Sequence, residues 1–144
     1  MMAQQGFITF YQDTGTTTTP AVVSRQAGEF TITYEEQAQG FEQTITTVRI
    51  VKGNKLPFVK ITRKGQVTGS LVFAQKKRTI GHYQLAEGKL QFAIDTENIV
   101  IHQGDDAVRV IVVSRIEGTP TKFDMLVTWS LEDIVRDNLR RSVP

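Results

Sequence analysis

The sequence predicts an all-β protein folded as a single antiparallel, up-and-down β-barrel of about 8–10 strands, followed by a short C-terminal helix or a frayed tail. Three observations carry this. Short segments of alternating apolar and polar residues, rich in Val, Ile, Thr and aromatics, recur along the chain. Turn signals containing Gly, Asn or Asp separate them at short intervals. No helical segment lies between strands, so nothing suggests a βαβ crossover. Local turns dominate and no long connection of the Greek-key kind is present, which favours a barrel over the alternative, a two-sheet sandwich. Closing the sheet also removes exposed strand edges.

The elements follow in order. Phe7, Thr9 and Tyr11 alternate with Ile8, Phe10 and Gln12, a strand open on one side. Residues 13–19 (DTGTTTT) are expected to form a turn with a polar threonine rim, and Pro20 to open the strand 21–25. Phe30, Ile32 and Tyr34 mark the next strand, over 30–35. After a turn at 37–40, the β-branched run 43–51 is a long strand. Lys52-Gly53-Asn54-Lys55 is a hairpin turn into residues 56–73, LPFVKITRKGQVTGSLVF, read as strands 58–63 and 69–73 around a basic turn. Lys76-Lys77-Arg78 sits in another turn, followed by strands 79–85 and 89–95 and by 98–102 as a short strand or a continuation past a bulge. The apolar run 107–117 and the strict alternation of Phe123, Met125, Val127, Trp129 and Leu131 complete the set. Beyond it, Leu131, Ile134, Val135 and Leu139 fall at helical spacing, with Ser130 and Asp133 as a capping pair. A helical or frayed tail is expected over 132–144.

At 144 residues the chain reads as one domain over 1–144. A domain of this size buries roughly 70% of its unfolded surface and needs no covalent staple. Cysteine is absent, which excludes disulfides, a thiolate metal site and a cysteine nucleophile. The N-terminus MMAQQGFITF lacks a signal-peptide pattern, and apolar runs such as 110–113 are too short to span a bilayer. A cytoplasmic protein without membrane association is expected. Charge is unevenly distributed. Residues 41–90 carry ten Lys and Arg against two acids, a net +8, while the rest of the chain carries seven basic and thirteen acidic residues, a net −6. Such asymmetry either marks an anionic partner or is mixed over a solvated surface once the strands interleave.

A family resemblance rests on residues that occur in a fixed order. They are Tyr34-Glu35-Glu36, Thr46-Thr47, Ile61-Thr62-Arg63-Lys64-Gly65, Leu71-Val72-Phe73, Tyr83, Gly88 and Thr96. Across roughly residues 28–131 the chain resembles the YwiB-like family, small bacterial proteins of unknown function found largely in Firmicutes. The resemblance implies a lipocalin-like (calycin-like) β-barrel and supplies no catalytic residue. The chain departs from the family pattern in a shorter segment between Gly28 and Tyr34, which suggests a truncated early hairpin, and in an extended tail after Leu131.

The chemistry-bearing residues are few. His82 and His102 have no spacing that converges on a metal, and read as surface or strand-end residues. Glu35 and Glu36 are adjacent on a strand, so they face opposite sides and form no catalytic pair by themselves. No GxSxG elbow and no P-loop is present. The expectation is a protein that is not an enzyme and needs no cofactor or metal.

Alternation puts Val59, Ile61 and Arg63 on one face, so if Val59 and Ile61 face inward Arg63 does too, near a strand end, where it meets Glu35 or Glu36 or a bound anion; the alternative is an exposed cross-strand charge. Two functions remain open. The first is binding of a small apolar or amphipathic ligand in the barrel, with Arg63, Glu35, Tyr83, Phe73, Phe92 and Trp129 as candidate contacts and Val59, Ile61, Leu71, Leu90, Met125 and Val127 also inward. The bland reading is that these side chains simply fill the core. The second is binding of an anionic partner such as nucleic acid through segment 49–89, with Lys60, Lys64, Lys76, Lys77 and Arg78 as candidates. Aromatic interleaving there is sparse and no RNA-binding motif is present. Homodimerisation through a strand edge or the terminal helix is a third expectation.

Overall fold

A computed structural model describes residues 2–53 and 56–129. They form ten strands: β1 (Met2–Gln12), β2 (Gly15–Gln26), β3 (Glu29–Glu35), β4 (Ile45–Val51), β5 (Phe58–Lys64), β6 (Thr68–Ala74), β7 (Arg78–Leu85), β8 (Gly88–Gln103), β9 (Ala107–Ile116) and β10 (Thr119–Trp129). Each strand pairs antiparallel with its sequence neighbours, and β1 pairs with β10, so the sheet closes into the up-and-down barrel that the sequence predicts. No helix is present among the described residues, and none is long and apolar enough to cross a membrane. The tail expected to be helical lies outside them.

Alternation decides the interior. Ile8, Val23, Ile32, Val48, Val59, Phe73, Ile94, Val110, Met125 and Val127 all point inward and are fully buried. Side chains with no accessible surface have no water-sized space beside them, so the middle of the barrel is packed rather than hollow. Phe73 meets Phe123 edge-on at 5.2 Å, and Phe30 meets Trp129 at 5.8 Å.

Three local expectations change. Thr16 to Thr19 are not a loop rim: they lie within β2 and pair with β1 down to Gln12↔Gly15, leaving only Asp13 and Thr14 in the turn. Their β-branched side chains suit that extended backbone. Pro20 therefore sits inside β2, opposite Phe7. It is tolerated because β3 pairs with β2 only from Val22 onward, leaving the outer edge bare where the N–H is missing. The early hairpin is present, with Val22–Gln26 paired to Glu29–Thr33. Asn98–His102 continues β8 past a bulge between Thr96 and Asn98.

The loops joining β1–β2, β3–β4, β5–β6, β7–β8 and β9–β10 gather at one end of the barrel, which we call the loop end. There Gly65 takes φ 148°, and a Cβ on it would lie 2.2 Å from the Gln43 carbonyl oxygen. Only glycine allows the β5–β6 turn to lie that close to the β3–β4 loop.

Candidate functional site

The loop end is polar where the middle is apolar. Inward positions on β3 run Phe30, Ile32, Tyr34, and the next residue of the same parity is Glu36. On β4 the inward set ends in Thr46, and on β5 it ends in Arg63. Thr46 and Arg63 are direct cross-strand partners, and Gly69 and Tyr83 continue the row. Four strands, β3, β4, β5 and β7, thus bring Tyr34, Glu36, Thr46, Arg63 and Tyr83 together.

Glu36 Oε2 accepts a 2.7 Å hydrogen bond from Thr46 Oγ1 and a long one, 3.5 Å, from Arg63 Nε. Another nitrogen of the Arg63 guanidinium donates to the Tyr83 hydroxyl. The two charged side chains are nearly enclosed, at 14% and 11% exposure. Two rings flank the guanidinium: Phe41 at 5.1 Å, from the β3–β4 loop, and Tyr83 at 5.7 Å. Burial pushes the Tyr34 phenol well above its ordinary value, with the Glu36 charge adding to the shift. Burial likewise raises the Tyr83 phenol, against the lowering effect of Arg63. Both tyrosines are therefore held as neutral hydroxyls.

A cleft of about 390 Å³, lined by Thr68, Gly69, His82, Tyr83, Gln84, Lys89, Leu90 and Gln91, meets this cluster at Tyr83. The Tyr83 ring lies against Gly69, where a Cβ would come within 2.5 Å of Tyr83 Cδ1. Phe92 backs the Tyr83 ring at 5.6 Å.

Arg63, Tyr83 and Phe92 are thus brought together at the loop end, and the rest of the sequence-derived ligand set is not. Glu35 is exposed, and Glu36 takes the place foreseen for it. Parity with Phe30, Ile32 and Tyr34 was the signal that singles out Glu36. Phe73 is locked in the packed middle. Trp129 lies at the opposite end, stacked beside Arg25 at 4.6 Å and donating from Nε1 to the Asp105 carbonyl, so it is too remote to report on the cluster. Leu90, expected inside, is 51% exposed because β8 begins at the rim, beyond the packed interior. Sequence reasoning missed Phe41 and Thr46. Phe41 is on a loop with no periodicity, and Thr46 appeared only as part of the family resemblance.

The basic candidates are scattered. Lys60 and Lys64 are exposed on β5, with Lys64 at the loop end. Lys76 and Lys77 lie in the β6–β7 turn at the other end. Arg78 forms a bidentate pair with Asp95 at 2.8 and 3.0 Å. His82 and His102 are exposed, and no group of three or more His, Asp or Glu among the described residues converges as a metal site.

Comparison with known proteins agrees with this architecture. A family model described as "Domain of unknown function (DUF1934)" matches residues 7–115. The crystal structure of the ywiB protein from Bacillus subtilis superposes with a TM-score of 0.68 at 16% identity, covering 89% of this chain and 90% of that one. At that identity the likeness speaks for the fold. A search of curated proteins gives no match. The chain therefore belongs to the DUF1934, YwiB-like family of proteins of unknown function.

Proposed function

We propose that this barrel is a non-enzymatic binding protein that takes a small amphipathic ligand at its loop end. The observation that carries the proposal is the near-enclosed Arg63–Glu36–Tyr83 cluster, joined through Tyr83 to a cleft lined also by Gly69, His82 and Leu90. Enclosed charge costs desolvation, and well-packed apolar residues are often as stable or more so. A chain that keeps such a cluster next to an open apolar cleft is built for recognition of a polar group with an apolar attachment. The packed middle directs the ligand to this end rather than deep inside.

The test is titration of the protein with medium-chain amphiphiles, followed by backbone amide resonances. Shifts clustered on Gly69, Tyr83, Gln84 and Leu90 support the reading. Shifts confined to the Trp129 end, or none at millimolar ligand, defeat it. Binding of an anionic macromolecule through Lys60, Lys64, Lys76, Lys77 and Arg78 has weaker support, because these residues are spread over both ends of the barrel and Arg78 is already paired. A salt-sensitive gel shift would revive it.

A further inference from the structure

We infer that the polar group recognised at the loop end is an oxyanion, a carboxylate or a phosphate, held by Arg63 in exchange with Glu36; the inference rests on the binding reading above.

A guanidinium carries five N–H donors in a rigid fork. In Arg63, Nε donates to Glu36 and one terminal nitrogen donates to Tyr83. That leaves three donors with no protein acceptor among the described residues. Two other arginines of this barrel commit both of their bonded donors to one carboxylate. Arg109 makes two bonds to Asp124 at 3.0 and 2.8 Å, and Arg78 makes two to Asp95. Arg63 differs in being the more enclosed and in sharing only one long bond, 3.5 Å, with its carboxylate, which is the opposite of what a structural ion pair needs. An oxyanion that takes the remaining donors, in exchange for the long bond to Glu36, completes the guanidinium's partners.

Glu36 explains how the site stays stable without ligand. Its bond to Arg63 is long, at 3.5 Å, while its firm bond, at 2.7 Å, is to Thr46. The carboxylate therefore has a second anchor when a competing anion draws Arg63 away. It also opposes that anion by its own charge, so removing the charge should tighten oxyanion binding. The rings of Phe41 and Tyr83, 5.1 and 5.7 Å from the guanidinium, limit water around it and strengthen the charge-assisted bonds. The cleft at Leu90 takes the apolar attachment.

The experiment compares octanoate and monooctyl phosphate with 1-octanol on the full chain, by calorimetry and by the Arg63 side-chain Nε–Hε resonance. The expected result is that at least one oxyanion binds about tenfold or more tighter than the alcohol, about one decade of dissociation constant, and shifts that resonance. The tighter of the two names the oxyanion. Arg63→Met should abolish this preference, and Glu36→Gln should tighten the oxyanion. Should Arg63→Met fail to fold, the wild-type resonance and Glu36→Gln still decide. Equal affinity for octanol and both oxyanions overturns the oxyanion assignment and leaves the binding reading standing. So does a weakened oxyanion in Glu36→Gln. Absence of binding by all three probes overturns both.

Discussion

Arg63–Glu36 and Arg78–Asp95 are two ion pairs of one barrel in opposite circumstances. Arg78 and Asp95 face each other across β7 and β8 and make two short bonds, yet the arginine is 69% exposed. Arg63 and Glu36 are nearly enclosed, yet share a single long bond. Solvent screens the well-formed pair, and water readily replaces either partner. The poorly formed pair has no such substitute, and whatever it lacks must come from a ligand or from the neighbouring hydroxyls. Good geometry in water stabilises little; incomplete geometry under cover is what the proposed binding would use.

That contrast can be broken from its strong side first. Arg63→Ala leaves Glu36 enclosed without its cation and should cost about 3–5 kcal/mol in chemical denaturation. Arg63→Met combined with Glu36→Leu removes both charges and should recover most of that loss. A single-variant cost below about 1 kcal/mol would mean that water reaches the pair freely.

Gly69→Ala comes next. Its methyl would stand 2.1 Å from the His82 carbonyl oxygen and 2.5 Å from Tyr83 Cδ1. Overpacking of this kind costs about 1–3 kcal/mol. It should also push the Tyr83 hydroxyl off Arg63, visible as a change in the Tyr83 ring resonances. Unchanged ring resonances would show that Tyr83 is not held by Gly69.

The enclosed side also predicts a response to base. Burial raises the Tyr34 and Tyr83 phenols above the ordinary 10.0. A group whose folded value is raised contributes stability that is fully present below the unfolded value, and that contribution is lost as pH rises through the folded one. Stability should therefore decline above about pH 10, and phenolate absorbance from these two tyrosines should appear only with unfolding. Native-state ionisation near pH 10 would contradict their enclosure.

The smallest effect belongs to the exposed pair. Arg78→Ala should leave the melting temperature within measurement scatter and make it no more salt-sensitive. A clear drop would place the β7–β8 pair among the barrel's structural supports and erase the contrast with Arg63.

Much of this site was legible before folding. The period-2 rule put Val59, Ile61 and Arg63 on one face and placed Arg63 near a strand end, as observed. The same rule, carried two residues past Tyr34, singles out Glu36 over Glu35. It overreached at Leu90 and Trp129: parity tells which way a side chain points, but not whether packed neighbours or the open rim lies there. The threonine run was misjudged because its polarity resembles a loop, while its β-branching suits the strand it occupies.

The sequence by itself determined the strands, their inward faces and the antiparallel meander, because alternation and turn chemistry are local properties of the backbone. The tertiary structure alone decided the rest. Pairing of β1 with β10 closes the barrel across more than a hundred residues of chain. The β3–β4 loop folds Phe41 back over Arg63, and four strands bring the hydroxyls of Tyr34, Thr46 and Tyr83 to one enclosed pair of charges. These contacts join residues with no local relation, and their strength depends on water being excluded, which only the assembled barrel achieves.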